Sequence, residues 1–161
     1  MKKIDILENT SNSMEAVNNA IDAGRITIAA DSLGASKAML DKAIEYSKER
    51  KQFNKPISSF QSIQFKLTDM SIAIDSARLL TKKAAWMKDT GLNFGVYAAM
   101  AKLYASEVAM KASTECVQIH GGYGYIKDYG VERLMRDAKI TQLYEGTSEV
   151  QRLVIARDLL K

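Results

Sequence analysis

The 161-residue chain has one cysteine, one histidine and one proline. Cys116 alone excludes an internal disulfide framework and fits a reducing compartment. With His120 as the only companion ligand of that kind, the sequence has too few Cys and His side chains for a structural zinc site, which takes four. No apolar run approaches the ~20 residues that span a bilayer. The charged start, Met1 to Glu8, lacks an apolar core of signal-peptide length, which argues against secretion and for a cytoplasmic protein. Alternation of the β type is missing over any useful length, and there is no low-complexity segment.

What is present is ordinary for a single globular domain with its own core: 47% hydrophobic and 26% charged residues. The formal charge is +4, but Lys and Arg are mixed with Asp and Glu along helix faces, so nucleic-acid binding is not expected. Gly34 is the only glycine between positions 25 and 90, and Pro56 the only break, which favours long helices. The first is expected from about Met14 to Lys51. Asn12 and Glu15 have capping-box spacing, and Val17, Ile21, Gly24 and Ile28 share one face. Ala29, Ala30, Gly34, Ala35 and Ala38 make it thin enough for a neighbour to approach closely.

The second helix is expected to open at Ser58 with Gln61 completing a capping box, to bury Ile63, Leu67, Met70, Ile74 and Ala77, and to end near Asp89-Thr90-Gly91. The third starts near Asn93, with Val96, Met100 and Leu103 on its stripe, and stops before Gly121. A short fourth covers about Gly130 to Ile140 and a last one about Thr147 to Leu160. Long helices with short connections pack as antiparallel neighbours. The expected fold is therefore all-α: an up-down helical bundle of four to five helices over residues 14–161, after a loose leader at 1–13.

Four stretches carry candidate chemistry. Glu145 lies in a Glu-Gly-Thr turn between two predicted helices. A loop carboxylate in apolar surroundings is a good general base, because burial disfavours its charged form. Ile140, Leu143 and Tyr144 are candidate walls. Gly146 permits close approach to a ligand, and Thr147 and Ser148 open a helix whose free amides suit anions or carbonyl oxygens. A plainer reading has Glu145 and Thr147 simply capping that helix. In Gln118-Ile119-His120-Gly121-Gly122, dense glycines after a helix fit either a ligand or an ordinary turn. Arg50, at a helix end, suits a phosphate or the helix macrodipole. Asp22 and Arg25 have ion-pair spacing around Gly24, a glycine that costs helix stability and hints at close approach.

Taken together and in this order, these motifs resemble the C-terminal domain of the acyl-CoA dehydrogenase family over about residues 14 to 160, most like the short-chain or butyryl-CoA type. The resemblance implies FAD as cofactor and an acyl-CoA thioester as substrate, oxidised to the trans-2-enoyl-CoA. It matches Glu145 to the base that removes the α-proton. Some family members hold the base in the first helix of this domain; the matching position here is Gly24, which has no side chain to serve. Asp22, Arg25 and Gly146 match substrate contacts. Arg50, Gln61, Gln118, Ile119, His120, Gly121, Gly122, Thr147, Ser148 and Glu149 match FAD contacts. In the family, contacts of the Arg50 and Gln118 type reach the cofactor of a neighbouring subunit, which implies a homo-oligomer. Electrons usually pass to an electron-transfer flavoprotein.

The helical and β domains that precede this bundle in the family do not occur in the sequence, and residues 2–13 lack the glycine-rich approach to the first helix. The bundle alone is therefore expected to be inactive and to expose apolar surface. The rival expectation is a non-catalytic helical oligomerisation or assembly module.

Overall fold

The computed structural model describes residues 13–161; the expected leader and the Asn12 cap lie outside the described residues. Three long helices form the body: α1 (Ser13–Glu49), α2 (Gln61–Asp89) and α3 (Gly95–His120). A one-turn helix, α4 (Gly122–Tyr125), then α5 (Val131–Ile140) and α6 (Ser148–Leu159) complete the chain. Asp22 of α1 lies against Gly95, and Tyr46 stacks on His120, so α1 and α3 run parallel. Lys66, near the start of α2, pairs with Glu115 near the end of α3, so α2 is antiparallel to both. The up-down all-α bundle of the sequence reading is present, with α4 as an additional turn.

One feature escapes the helical reading. Between α1 and α2 the chain forms a two-stranded hairpin, β1 (Lys51–Gln52) and β2 (Lys55–Pro56), with Lys51 opposite Pro56. Phe53 (φ 53°) and Asn54 (φ 64°) are both left-handed, the geometry of a tight two-residue hairpin turn. Strands of two residues are too short to show alternation in a sequence. The Ser58–Gln61 capping box is also not formed. Ile57–Ser59 is a 3-10 turn, α2 starts at Gln61 after Phe60, and no side chain caps it. Ser58 instead offers its carbonyl to Gln64 Nε2 at 3.0 Å. The end of α2 is as expected, with Gly91 left-handed at φ 72°.

The core sits around α3, against which α1, α2, α4, α5 and α6 all pack. A helix surrounded in this way buries small residues. Ala98, Ala99, Ala101, Ala105, Ser106, Ala109, Ala112 and Ser113 are buried, whereas the expected stripe of Val96, Met100 and Leu103 is only half-buried. On α1 the buried face is Ala29, Ser32, Ser36, Met39, Leu40, Ala43 and Ser47. Val17 and Ile21 are exposed, because the face that α1 turns to the α2–α3 connection at this end is polar, with Glu15, Asn18, Asn19 and Asp22. The α2 stripe holds: Met70, Ile74 and Ala77 are buried and Ile63 and Leu67 pack against them. None of the described helices is long and apolar enough to cross a membrane.

Candidate functional site

The site residues fall into two clusters. The first is the turn between α5 and α6. The amides of Leu143 and Tyr144 close back on Ile140 O, and Ser148 N donates to Gln142 O at 3.0 Å. Between these bonds Glu145 (φ 53°) and Gly146 (φ 88°) are both left-handed. That conformation costs a non-glycine residue about 1 kcal/mol. At position 146 a side chain is excluded as well, since its Cβ would lie 2.7 Å from Gln151 Nε2.

Held in this turn, the Glu145 side chain reaches α1. Its Oε2 lies 3.1 Å from where a Cβ on Gly24 would sit. The glycine in the middle of α1 is thus explained by the carboxylate above it. Ile140, Leu143 and Tyr144 do not form the expected apolar wall: they are 47%, 50% and 37% exposed, and Glu145 is exposed too. The bundle orients this carboxylate without enclosing it.

Around Gly24, which lies between them in sequence, Arg25 Nη1 donates to Asp22 Oδ1 at 2.6 Å, with both side chains mostly buried. Asp22 in turn packs on Gly95, where a Cβ would clash with Oδ2 at 2.6 Å. Across the turn, Thr147 caps α6 as the plainer reading held, its Oγ1 accepting from Val150 N at 3.4 Å. Glu149 accepts from its own backbone amide and from the Thr147 hydroxyl, which holds its carboxyl below the ordinary value. The Glu145 side chain is not used as a cap.

The second cluster is at the far end of α3, eighteen residues from Lys102 to His120, or about 27 Å at 1.5 Å per residue. There a cavity of about 440 Å³ is lined by Tyr46, Arg50, Ile119, His120, Gly121 and Gly122 among others. Arg50 places its guanidinium 5.5 Å from the centre of the Tyr123 ring. A Cβ at Gly121 or Gly122 would meet nothing within 4 Å among the described residues, so open space lies over both. Ile119 is buried in the core, while Gln118 and Gln61 are exposed. Neither glutamine lines the cavity.

His120 is structural in its own right. Its ring stacks on Tyr46 at 4.2 Å between centroids, and Nδ1 lies 2.8 Å from the Cys116 carbonyl oxygen. Burial pushes its pKa below the ordinary imidazole value; the Cys116 carbonyl opposes this and the Lys42 charge adds to it. Burial pushes the Cys116 thiol up to about 11, so it stays protonated and inert. No group of three metal-ligating side chains occurs among the described residues.

Three residues of these clusters escaped the sequence reading. Lys102 is fully buried and donates from Nζ to Gly146 O at 2.7 Å. Gln151, also fully buried, donates to Gly146 O at 2.9 Å and Glu145 O at 3.2 Å. Tyr46 stacks under His120. The available signal for Lys102 was its place among alanines at helical spacing, where a lysine stands out on an otherwise small, apolar face. Nothing in the sequence marks Gln151.

The acyl-CoA dehydrogenase C-terminal domain family model matches residues 14–160. The chain belongs to this family. It is 60% identical over 141 residues to the probable acyl-CoA dehydrogenase YngJ of Bacillus subtilis, covering 88% of this chain and 37% of that protein. It is 48% identical over 159 residues to the 3-(aryl)acrylate reductase of Clostridium sporogenes, covering 99% of this chain and 42% of that one. The solved butyryl-CoA dehydrogenase of Megasphaera elsdenii superposes with a TM-score of 0.87 at 57% identity, covering 88% of this chain and 37% of that structure. The chain thus spans about two fifths of the length of these relatives.

The depressed pKa of His120 has a measurable consequence. The native state holds its proton less tightly than the unfolded state, so stability is full above the unfolded value of about 6.5 and falls as pH drops through it towards the lower native one. The urea midpoint of the wild type should therefore fall more between pH 7 and pH 5 than that of H120Q. Equal slopes would contradict this.

Proposed function

We propose that this bundle is the base-bearing part of an FAD-dependent acyl-CoA dehydrogenase, and that Glu145 is the base in α,β-dehydrogenation of an acyl-CoA thioester. The observation that carries the reading is the approach of the Glu145 carboxylate to Gly24. Two positions at which the family keeps a base would then address one point in space from two elements, and this chain has a carboxylate at only one of them.

Glu145 takes the proton from the carbon beside the thioester carbonyl. The electron pair of that C–H bond becomes the new double bond as the β-hydrogen leaves with its own pair. FAD supplies the acceptor for that hydride when bound. Asp22 and Arg25, fixed to each other below the turn, line the acyl-CoA side of the site with Gly146. In the opposite direction, the one named for the Clostridium relative, Glu145 would return the α-proton, since a base in one direction is an acid in the other.

The residues of the second cluster fit a flavin nucleotide: an open cavity over two glycines, and an arginine with no carboxylate partner among the described residues. Because about 27 Å separates the clusters along α3, we assign them to two cofactor sites: Thr147, Ser148 and Glu149 to the chain's own, Arg50 and Gln118 to Gly122 to that of a neighbouring copy.

The neighbour has a candidate seat. Phe65, Ile72, Leu79 and Trp86 recur every seventh residue on α2 and are 59%, 61%, 70% and 58% exposed. A second copy of α2 laid antiparallel would set Phe65 against Trp86, Ile72 against Leu79, and Asp69 against Lys82. The stripe thus pairs apolar with apolar and acidic with basic side chains in that register, as a two-fold interface requires. An electron-transfer flavoprotein is the electron acceptor that the family implies.

In an enzyme carrying this bundle behind its two preceding domains, E145Q should lower kcat by about 10²- to 10⁴-fold, the usual contribution of a general base, with FAD content unchanged. Retained turnover would refute the assignment. Flavin titration of the lone chain addresses the rival assembly role, which predicts a colourless oligomer. For the α2 seam, L79E should reduce the mass found by analytical ultracentrifugation; an unchanged mass would contradict the seam.

A further inference from the structure

Lys102 is the largest fully buried side chain among the described residues, and its ammonium has no carboxylate within ion-pair distance among them. Its neighbours on α3, Ala98, Ala99, Ala105 and Ser106, are small and fully buried. Burying a cation is unfavourable unless it is paired or hydrogen-bonded. Among the described residues, the one side-chain bond that Lys102 makes is to the carbonyl of Gly146, 44 residues away in sequence, at 2.7 Å. Gln151 of α6 grasps the same oxygen at 2.9 Å. Two fully buried donors from two helices therefore converge on one carbonyl in the turn that carries Glu145.

That turn does not hold its shape by itself. Its backbone bonds bracket it at Ile140 and Gln142, but the carbonyls of Glu145 and Gly146 are taken only by side chains from outside. Without those donors, the Glu145 and Gly146 carbonyls have no hydrogen bond among the described residues to help hold Glu145 at its left-handed φ of 53°. Relaxation to negative φ would swing its carboxylate away from Gly24.

We infer that Lys102 is the positioning residue of the Glu145 turn: from the central helix it holds the Gly146 carbonyl, and so fixes the direction of the Glu145 carboxylate over Gly24. Gln151 is the second clamp on the same oxygen. The inference rests on the assignment of Glu145 as base, but the holding of the turn is separable from it. Arg25 from α1 and Glu145 and Glu149 from the turn and α6 are the charges facing the ammonium. Its burial draws its pKa below the ordinary lysine value, with Arg25 adding to this and the two carboxylates opposing it.

The test uses the complete flavoenzyme that carries this bundle, with K102M as the variant. Two readouts are needed. The Ser148 amide, bonded to Gln142 O at 3.0 Å, should exchange with deuterium at least about tenfold faster in K102M, the expected loosening of a turn released at one end. This readout is independent of the role of Glu145. In turnover, K102M should lower kcat by about 10- to 100-fold with KM and FAD content within about twofold, since misplacing a reacting group by ~1 Å costs of that order. Deuterium at the substrate α-carbon should then slow turnover more than in the wild type, while deuterium at the β-carbon should not.

The K102M and E145Q effects should also fail to add, because one acts through the other. Unchanged exchange at Ser148, or full additivity with E145Q, would overturn the proposal. If E145Q were active while K102M still loosened the turn, the base assignment would fail and the positioning of the turn would stand. Should K102M not fold, K102Q carries the same test. It keeps a donor but not the charge, and should recover part of the exchange protection; no recovery in a folded K102Q would count against the proposal.

Discussion

The site depends on how closely α1 and α3 approach each other. These two parallel helices meet through alanine and serine, and most of the buried serines return their hydroxyl proton to their own helix, Ser32 being the exception with no partner among the described residues. Ser36 Oγ donates to Ser32 O at 2.7 Å, Ser47 Oγ to Ile44 O at 2.8 Å, and Ser113 Oγ to Met110 O at 2.8 Å. Larger side chains along this seam would move α1 outward. Gly24 would then no longer lie beneath the Glu145 carboxylate, and Asp22 would no longer rest on Gly95.

From that seam the rest follows in order. Helix α3 is the rod to which every other α-helix is fastened. One end presents Lys102 to the turn that carries Glu145, and the other presents His120 to Tyr46. Two clusters on one stiff element keep a constant separation. The exposed heptad stripe of α2 lies on the outside of the same framework, where a second copy has access to it.

Helix order and length were legible because long stretches lack glycine and proline, and the α2 stripe was legible because its side chains are large and its burial one-sided. The faces of α1 and α3 were misjudged for the opposite reason. When a helix is surrounded, or seated closely on a partner, its buried residues are the small ones, and the bulky Val17, Ile21, Val96 and Met100 lie at the margins. The hairpin after α1 was hidden by its two-residue strands. Glu145 was legible as a loop carboxylate, and Gly24 as a helical glycine in need of an explanation. The contact between them joins positions 121 residues apart, which no local pattern in the sequence marks. The clamp from Lys102 and Gln151 was not legible, because it joins residues more than forty positions apart through a backbone oxygen, which leaves no mark on residue type at Gly146 beyond the glycine itself.

The central claim is that the carboxylate over the Gly24 position does the chemistry, whichever element supplies it. Moving it tests this most directly: turnover of E145G and of the double variant G24E/E145G is compared in the complete flavoenzyme, with FAD content and helicity checked in both. The account predicts that E145G is inactive and that G24E/E145G regains a measurable part of the wild-type rate, because the new side chain starts 3.1 Å from where the old oxygen stood. A folded, flavin-loaded double variant with no recovery, or an active E145G, would contradict it.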